Sequence, residues 1–297
     1  MNAQPTNKYA YFALTSVSFF WGTTYFFIKI GGEYLPPFFF SGFRHLIAGA
    51  IMLFYFILIK KIPIPDGLTL LKLLGLGITL ILGANVLLIY SEQYISSGLA
   101  ALICAFLPFN ILIINLITGN SEKLSLLSIL GFALGIIGML VIFYDSLAEI
   151  KNPEYLPGII LVSIGNFSWA IGTVLTKKAK IQLNPFYAAA WQFVLAGSVI
   201  FLLSFIFDDW NKIEFNTTSV GALSYLIVFG SIIGYGSFAY TIAHLPANVS
   251  SIYAYINPIV AVTLGFIFLN EQITWYTVLA MVITLLGVYL VNRGYKK

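Results

Sequence analysis

Residues 21–49 are written a second time, 148 residues further along. Trp21, Lys29, Leu35, Pro37, Phe38, Ala48 and Gly49 match Trp169, Lys177, Leu183, Pro185, Phe186, Ala196 and Gly197 without a gap, seven identities in 29 positions. Composition alone would give about two or three. Tyr90 with Tyr240 and Pro108 with Pro258 continue the register at an offset of 150, and Glu122 with Glu271 and Gly138 with Gly287 at 149. A tandem duplication of roughly half the chain constrains the fold to two like units, 1–148 and 149–297, in which one half mirrors the other.

The unit is not a soluble domain. Charged residues make up 9% of the 297 and hydrophobic ones 60%, against about 25% charged in an ordinary soluble protein. The chain reads as an all-α, polytopic membrane protein whose immediate surroundings are the lipid bilayer. Its net charge of +4 does not make it a nucleic-acid binder, because the basic residues are scattered between apolar runs and form no continuous face for phosphates. Cys104 is the single cysteine, which excludes an intramolecular disulfide and a cysteine-based metal site. The apolar run after Lys8 is about 22 residues long, too long for a signal-peptide core, so it is expected to stay as a helix.

A membrane core of about 30 Å takes roughly 20 apolar residues per helix. Ten such runs can be placed, near residues 9–30, 37–59, 69–91, 96–117, 124–144, 156–176, 185–207, 219–240, 247–269 and 275–292. Turn-forming residues separate them: Gly31-Gly32 with Pro36-Pro37, Pro63 with Pro65-Asp66-Gly67, Asn152-Pro153, Asn184-Pro185 and Pro246. With the N-terminus in the cytoplasm, eleven lysines and arginines fall on the inner side and Lys29, Lys151 and Lys212 on the outer. The positive-inside rule therefore puts both termini in the cytoplasm. Five helices per half is an odd number, so the second copy enters the membrane from the opposite face. Two inverted five-helix repeats are an architecture of secondary transporters, which hold substrate near the midplane and expose it alternately to either side.

Trp21-Gly22, Pro37-Phe38, Phe43-Arg44, Ala48, Tyr90, Pro108, Glu122, Gly131 and Gly138 in the first half, and Trp169, Pro185-Phe186, Tyr240, Pro258, Glu271 and Gly287 in the second, come in an order that resembles the drug/metabolite transporter superfamily, and within it the EamA-type permeases. The resemblance covers nearly the whole chain. It implies a ten-helix carrier of the cytoplasmic (inner) membrane for small metabolites, often an exporter of amino acids or related compounds. One position breaks the internal pattern: Arg44 faces Gln192 in the second copy.

Hydrocarbon offers no hydrogen bonds, so polar groups within spans should turn toward the bundle interior. The expected substrate-binding residues are Trp21 and Thr24 in the first run, Asn85 in the third, Asn166 and Trp169 in the sixth, Tyr235 in the eighth, and Tyr253 and Asn257 in the ninth. Asn85 and Tyr235 are repeat counterparts, as are Trp21 and Trp169. Ser18, Ser163 and Thr173 share faces with them. The alternative for each Ser, Thr or Asn is a hydrogen bond that stitches helices together. Trp210 and Trp275 read as interfacial anchors, Pro108 and Pro258 as bends, and Gly131, Gly135 and Gly138 as a close-packing stripe inside the bundle or in a homodimer.

Arg44, seven residues after Pro37, would cost about 3 kcal/mol unpaired within a span. It is expected to snorkel outward or to pair with a helix-end carbonyl, with a substrate carboxylate as the alternative. His45 and His244 have no acid or cysteine at metal-ligand spacing, and neither a metal nor a cofactor is expected. Acidic residues sit at or beyond the ends of the runs. Glu92, at the end of the third, is expected to be solvated and to titrate as an ordinary carboxylate, which argues for transport without obligatory proton coupling.

A membrane-embedded enzyme would need a nucleophile with a base, or a metal cluster, and the runs supply neither. The leading reading is a carrier of a small metabolite, and the alternative is a membrane-embedded receptor or lipid-handling protein without turnover. The orientation is open to direct test. In a Cys104→Ser background, Lys180→Cys and Lys297→Cys should be labelled from the cytoplasmic face and Asp209→Cys from outside. Labelling of Lys180→Cys and Asp209→Cys from one side would rule out the inverted ten-helix arrangement.

Overall fold

The computed structural model describes residues 8–118, 125–145, 154–245 and 253–294. Glu122, Lys123, Glu149, Lys151, Asn152-Pro153, Pro246, Lys296 and Lys297 lie outside the described residues. Within them ten helical stretches follow one another: α1 (Lys8–Gly32), α2 (Pro37–Ile59), α3 (Gly67–Ser91), α4 (Ser97–Cys104, resuming as Leu107–Ile117), α5 (Leu126–Asp145), α6 (Leu156–Ala179), α7 (Pro185–Phe207), α8 (Thr217–His244), α9 (Tyr253–Phe268) and α10 (Trp275–Gly294). Six of them, α2, α3, α4, α6, α7 and α8, are long and apolar enough to cross a membrane. Parts of α5, α9 and α10 form shorter apolar stretches.

Turn chemistry placed the helix starts. Pro37 and Pro185 open α2 and α7, where the missing N–H costs nothing. Asn184 accepts from the Phe186 and Tyr187 amides, Asp66 caps α3 through Thr69, and Asn216 forms a reciprocal capping box with Ser219 at the start of α8.

The two most extensive helix pairings join repeat counterparts, α2 with α7 and α5 with α10. Other packings come in matched sets, α1 on α9 with α6 on α4, and α1 on α8 with α6 on α3. Counterparts that pack on each other lie at the axis relating the two halves. Glycine allows the approach. A Cβ on Gly42 would stand 2.6 Å from the Phe201 nitrogen, one on Gly49 2.8 Å from the Val194 nitrogen, and one on Gly197 2.9 Å from the Leu46 nitrogen. The stripe on α5 faces inward in the same way, with a Cβ on Gly287 of α10 falling 2.7 Å from the Gly131 carbonyl.

Carboxylates tie the halves together at one end of the bundle. Asp208, just past α7, accepts from the Phe38 and Phe39 amides at the start of α2 (3.3 and 2.5 Å). Glu271, between α9 and α10, accepts from the Ser97 amide and hydroxyl (2.9 and 3.0 Å) and the Gly98 amide (3.3 Å) at the start of α4. Each puts an anion on the positive end of a helix. At the same end Lys29 donates to the backbone carbonyls of Glu92 and Ile95 that finish α3 and its turn.

The expectation for Glu92 fails here. One residue beyond α3, it is 2% exposed, and neither carboxylate oxygen has a hydrogen-bond partner. The turn that ends α3 folds it beneath α1 and α4 instead of into the interface. Burial pushes its carboxyl well above the ordinary 4.5; Lys29 opposes that and Glu271 adds to it. The sequence-based argument against proton coupling therefore loses its physical ground.

Two measurements follow from this packing. Gly49→Val should destabilise the detergent-solubilised protein by about 1 to 3 kcal/mol, as overpacking does, whereas Gly75→Ala, with nothing near its added carbon, should be neutral or slightly stabilising. Equal melting temperatures for the two variants would contradict the glycine-mediated contact. A raised carboxylate pKa stabilises the fold below the unfolded value and withdraws that stability as pH rises toward the folded value. The wild-type melting temperature should accordingly fall as pH rises above the unfolded carboxylate value of about 4.3, and Glu92→Gln should flatten the fall. An unchanged profile in the variant would show that Glu92 is not the buried acid responsible.

Candidate substrate cavity

The middle of the bundle is hollow. A cavity of about 110 Å³, part of it open to solvent, lies between the halves and takes side chains from α1, α2, α3, α4, α6, α7, α8 and α9. The α5–α10 pair stands outside it. All eight residues singled out from the sequence, Trp21, Thr24, Asn85, Asn166, Trp169, Tyr235, Tyr253 and Asn257, line this one space.

Backbone irregularity aims several of them. Ile78–Val86 in α3 and Leu226–Tyr235 in α8 are wound as π-helix, and the two stretches are repeat counterparts. The wider turn shifts the residues that follow and strains the regular hydrogen-bond ladder, a device often found at functional sites. Asn85 and Tyr235 stand near the C-terminal ends of these stretches. In α8 the Gly230 carbonyl accepts from the Trp21 indole N–H (3.1 Å). The break in α4 around Ala105-Phe106, just ahead of Pro108, gives a similar opening, since the Ile103 carbonyl accepts from the Asn166 amide (3.0 Å). In α9, with its amide oriented to donate, Asn257 reaches the carbonyls of Tyr253 and Ser18 (3.0 and 2.9 Å).

Asn166 and Asn257 therefore line the cavity and also stitch helices. Asn85 is freer, its one hydrogen bond a long 3.4 Å to the Leu80 carbonyl. Ser18, Ser163 and Thr173 spend their hydroxyls on carbonyls one turn back in their own helices, and none of the three lines the cavity.

Aromatic rings form most of the wall. Trp21 and Trp169, counterparts across the axis, meet edge to face at 5.4 Å and 82°. Trp21 also meets Tyr253 edge to face at 5.2 Å, and Phe193 lies 4.8 Å from Tyr235. Such contacts hold the rings in place, leaving a preformed box. The Tyr235 hydroxyl donates to Gln192 (2.6 Å).

Arg44 overturns its expectation. It neither snorkels nor caps a helix: it is 4% exposed on the cavity wall, and its Nε donates to the Ser231 hydroxyl (2.9 Å). The α2–α7 contact holds α2 at the centre of the bundle, so the side chain has no route to the interface. Tyr25, His45, Cys104, Phe193 and Ser231 line the cavity too, though the sequence reading passed them over. Ser231 sits one turn before Tyr235 and Tyr25 one turn after Trp21, so helical spacing could have found both. Phe193 had no polar signal to betray it. Trp210 packs flat on Phe205 at the end of α7 and Trp275 is 74% exposed, both away from the cavity. No cluster of histidine, cysteine, aspartate and glutamate able to hold a metal occurs among the described residues.

Comparison with known proteins agrees with this architecture. An uncharacterized inner membrane transporter of Escherichia coli K12, YedA, is 31% identical over 95% of this chain and 90% of its own length. An uncharacterized transporter of Archaeoglobus fulgidus is 30% identical over 96% and 99%. A probable amino-acid metabolite efflux pump of Salmonella typhimurium is 27% identical over 93% and 92%. A crystal structure at 15% identity superposes with a TM-score of 0.71 over 97% of this chain and 99% of that one, which shows a shared fold. The EamA-like transporter family matches twice, over residues 8–144 and 156–293. The protein is a multi-pass membrane transporter and belongs to the EamA-like transporter family.

Proposed function

We propose that the protein is a secondary transporter that exports a small metabolite, an amino acid or related compound, across the cytoplasmic membrane by alternating access, without catalysing a reaction. One observation carries the reading: the central cavity is bounded by four pairs of counterpart helices, α1 with α6, α2 with α7, α3 with α8 and α4 with α9. A space built equally by two related halves can be opened to one side by tilting a half and to the other by the mirrored tilt. The name of the Salmonella relative supports the choice of substrate class and the direction.

Ten spans with both termini in the cytoplasm complete the proposal. Hydrogen bonds support its helix order by bringing the start of α2, the end of α3, the start of α4 and the end of α7 to one end of the bundle. That end carries Glu33, Glu92, Asp208, Asp209, Glu214 and Glu271, while Lys60 and Lys61 follow α2, and Lys177, Lys178 and Lys180 lie in the last turn of α6 and just past it, at the other, the cytoplasmic one.

The test begins with purified protein screened against a metabolite panel by thermal shift, since a ligand that binds the native state raises its melting temperature. Compounds that stabilise it are then tried for counterflow in vesicles. Asn85→Ala should lower counterflow roughly tenfold, as expected for a lost hydrogen bond of about 1 to 1.5 kcal/mol, with little change in melting temperature because Asn85 has so small a structural part. Trp275→Ala should transport normally. Binding without counterflow would instead favour a receptor, and full activity in Asn85→Ala would remove that residue from the site.

A further inference from the structure

The cavity holds a charge that nothing in it balances. Arg44 is the charged residue among those lining it, and the described lining includes no aspartate or glutamate. Arg44 is buried, and its guanidinium keeps its charge at any physiological pH. Nε is committed to Ser231. Nη2 lies where Gly230 has no side chain, since a Cβ there would come within 2.7 Å of it. Nη1 is buried with no hydrogen-bond partner at all. The buried acid Glu92 has Lys29 and Glu271 as its charged neighbours instead. A desolvated guanidinium with a spare N–H is costly alone and strongly favoured by an anion that can accept from it.

We propose, resting on the reading of this cavity as the transport site, that its substrate carries a carboxylate held by Arg44, with an apolar side group lying against Trp21, Trp169 and Phe193. One fixed cation matches a single carboxylate group. A phosphate dianion would call for further basic groups, and the described lining adds only His45, whose Nδ1 is already taken up by the Ser41 carbonyl (2.7 Å). An organic cation would meet a like charge in a medium that screens it poorly. The aromatic box supplies apolar contact and no second charge, so the carboxylate sets orientation and the rings set size. Gln192, where the repeat would place a second arginine, instead accepts from Tyr235. The charge is thus on one side of the axis only, and the substrate binds in one orientation.

The test uses the full chain and matched compounds: phenylalanine with phenylalaninamide, leucine with leucinamide, and phenylacetate with phenylacetamide. At least one carboxylate should raise the melting temperature in a saturable way, and its amide should bind at least about tenfold more weakly. Arg44→Gln should lose the carboxylate response and Arg44→Lys should keep part of it. An amide that stabilises as well as its carboxylate, a panel in which no carboxylate binds, or an Arg44→Gln protein that binds like wild type would each overturn the inference. If Arg44→Gln does not fold, the acid and amide pairs on wild-type protein decide by themselves. A carboxylate that binds but shows no counterflow would leave the anion site standing and remove the carrier. Counterflow of neutral compounds alone would do the reverse.

Discussion

The contact between α2 and α7 holds the rest of the structure in place. Gly42, Gly49 and Gly197 let the two backbones meet with no side chain between them, and the helices concerned are copies of one another. Two copies that pack on themselves must lie on the axis of the duplication, and every other helix then finds its place by symmetry. The α5–α10 pair repeats the device at the edge, through Gly287 against Gly131 and Gly135. Hydrocarbon contributes little drive for helices to associate, so close backbone approach and interhelical hydrogen bonds have to supply it. That is why small residues recur at these two seams and bulky ones between them.

Fixing α2 and α7 at the centre leaves a hollow around the axis, and the polar groups of the bundle collect there. Two kinds of backbone irregularity make the hollow usable. The π-wound stretches of α3 and α8 and the break in α4 disturb the helical ladder and expose carbonyls that Trp21 and Asn166 then satisfy. Buried side chains are held by groups on other helices, so moving one helix would disturb its partners across the axis. Carboxylates from the second half that cap helices of the first, Asp208 on α2 and Glu271 on α4, link the halves at one end. These caps are polar and local, whereas the glycine seams bring backbone against backbone.

Duplication makes the two halves alike, and the cavity wall is where they differ. Arg44 and Gln192 occupy equivalent places, yet one sets a positive charge in the wall and the other accepts from a tyrosine. Asn85 and Tyr235 differ in the same way. These substitutions make the cavity wall asymmetric although its helices come in matched pairs.

Much of this was written in the sequence. Hydrophobic runs of membrane length, turn residues between them and the 148-residue repeat fixed the helices to within a few residues, because each depends on local chemistry or on simple counting. The polar side chains expected to leave the lipid were legible for the same reason: Asn85, Asn166 and Asn257 had nowhere else to go. What the sequence could not decide were matters of distance between remote segments. Arg44 was expected to reach the interface because its position within a run suggested that route, and only the α2–α7 seam closes it. Glu92 looked solvated at the end of a run, and only the turn beyond α3, packed under α1 and α4, buries it. Phe193 joined the cavity without any polar mark, since an apolar residue facing a hollow reads like one facing a neighbour. Local chemistry determined the elements, and tertiary packing decided which charges were left without water.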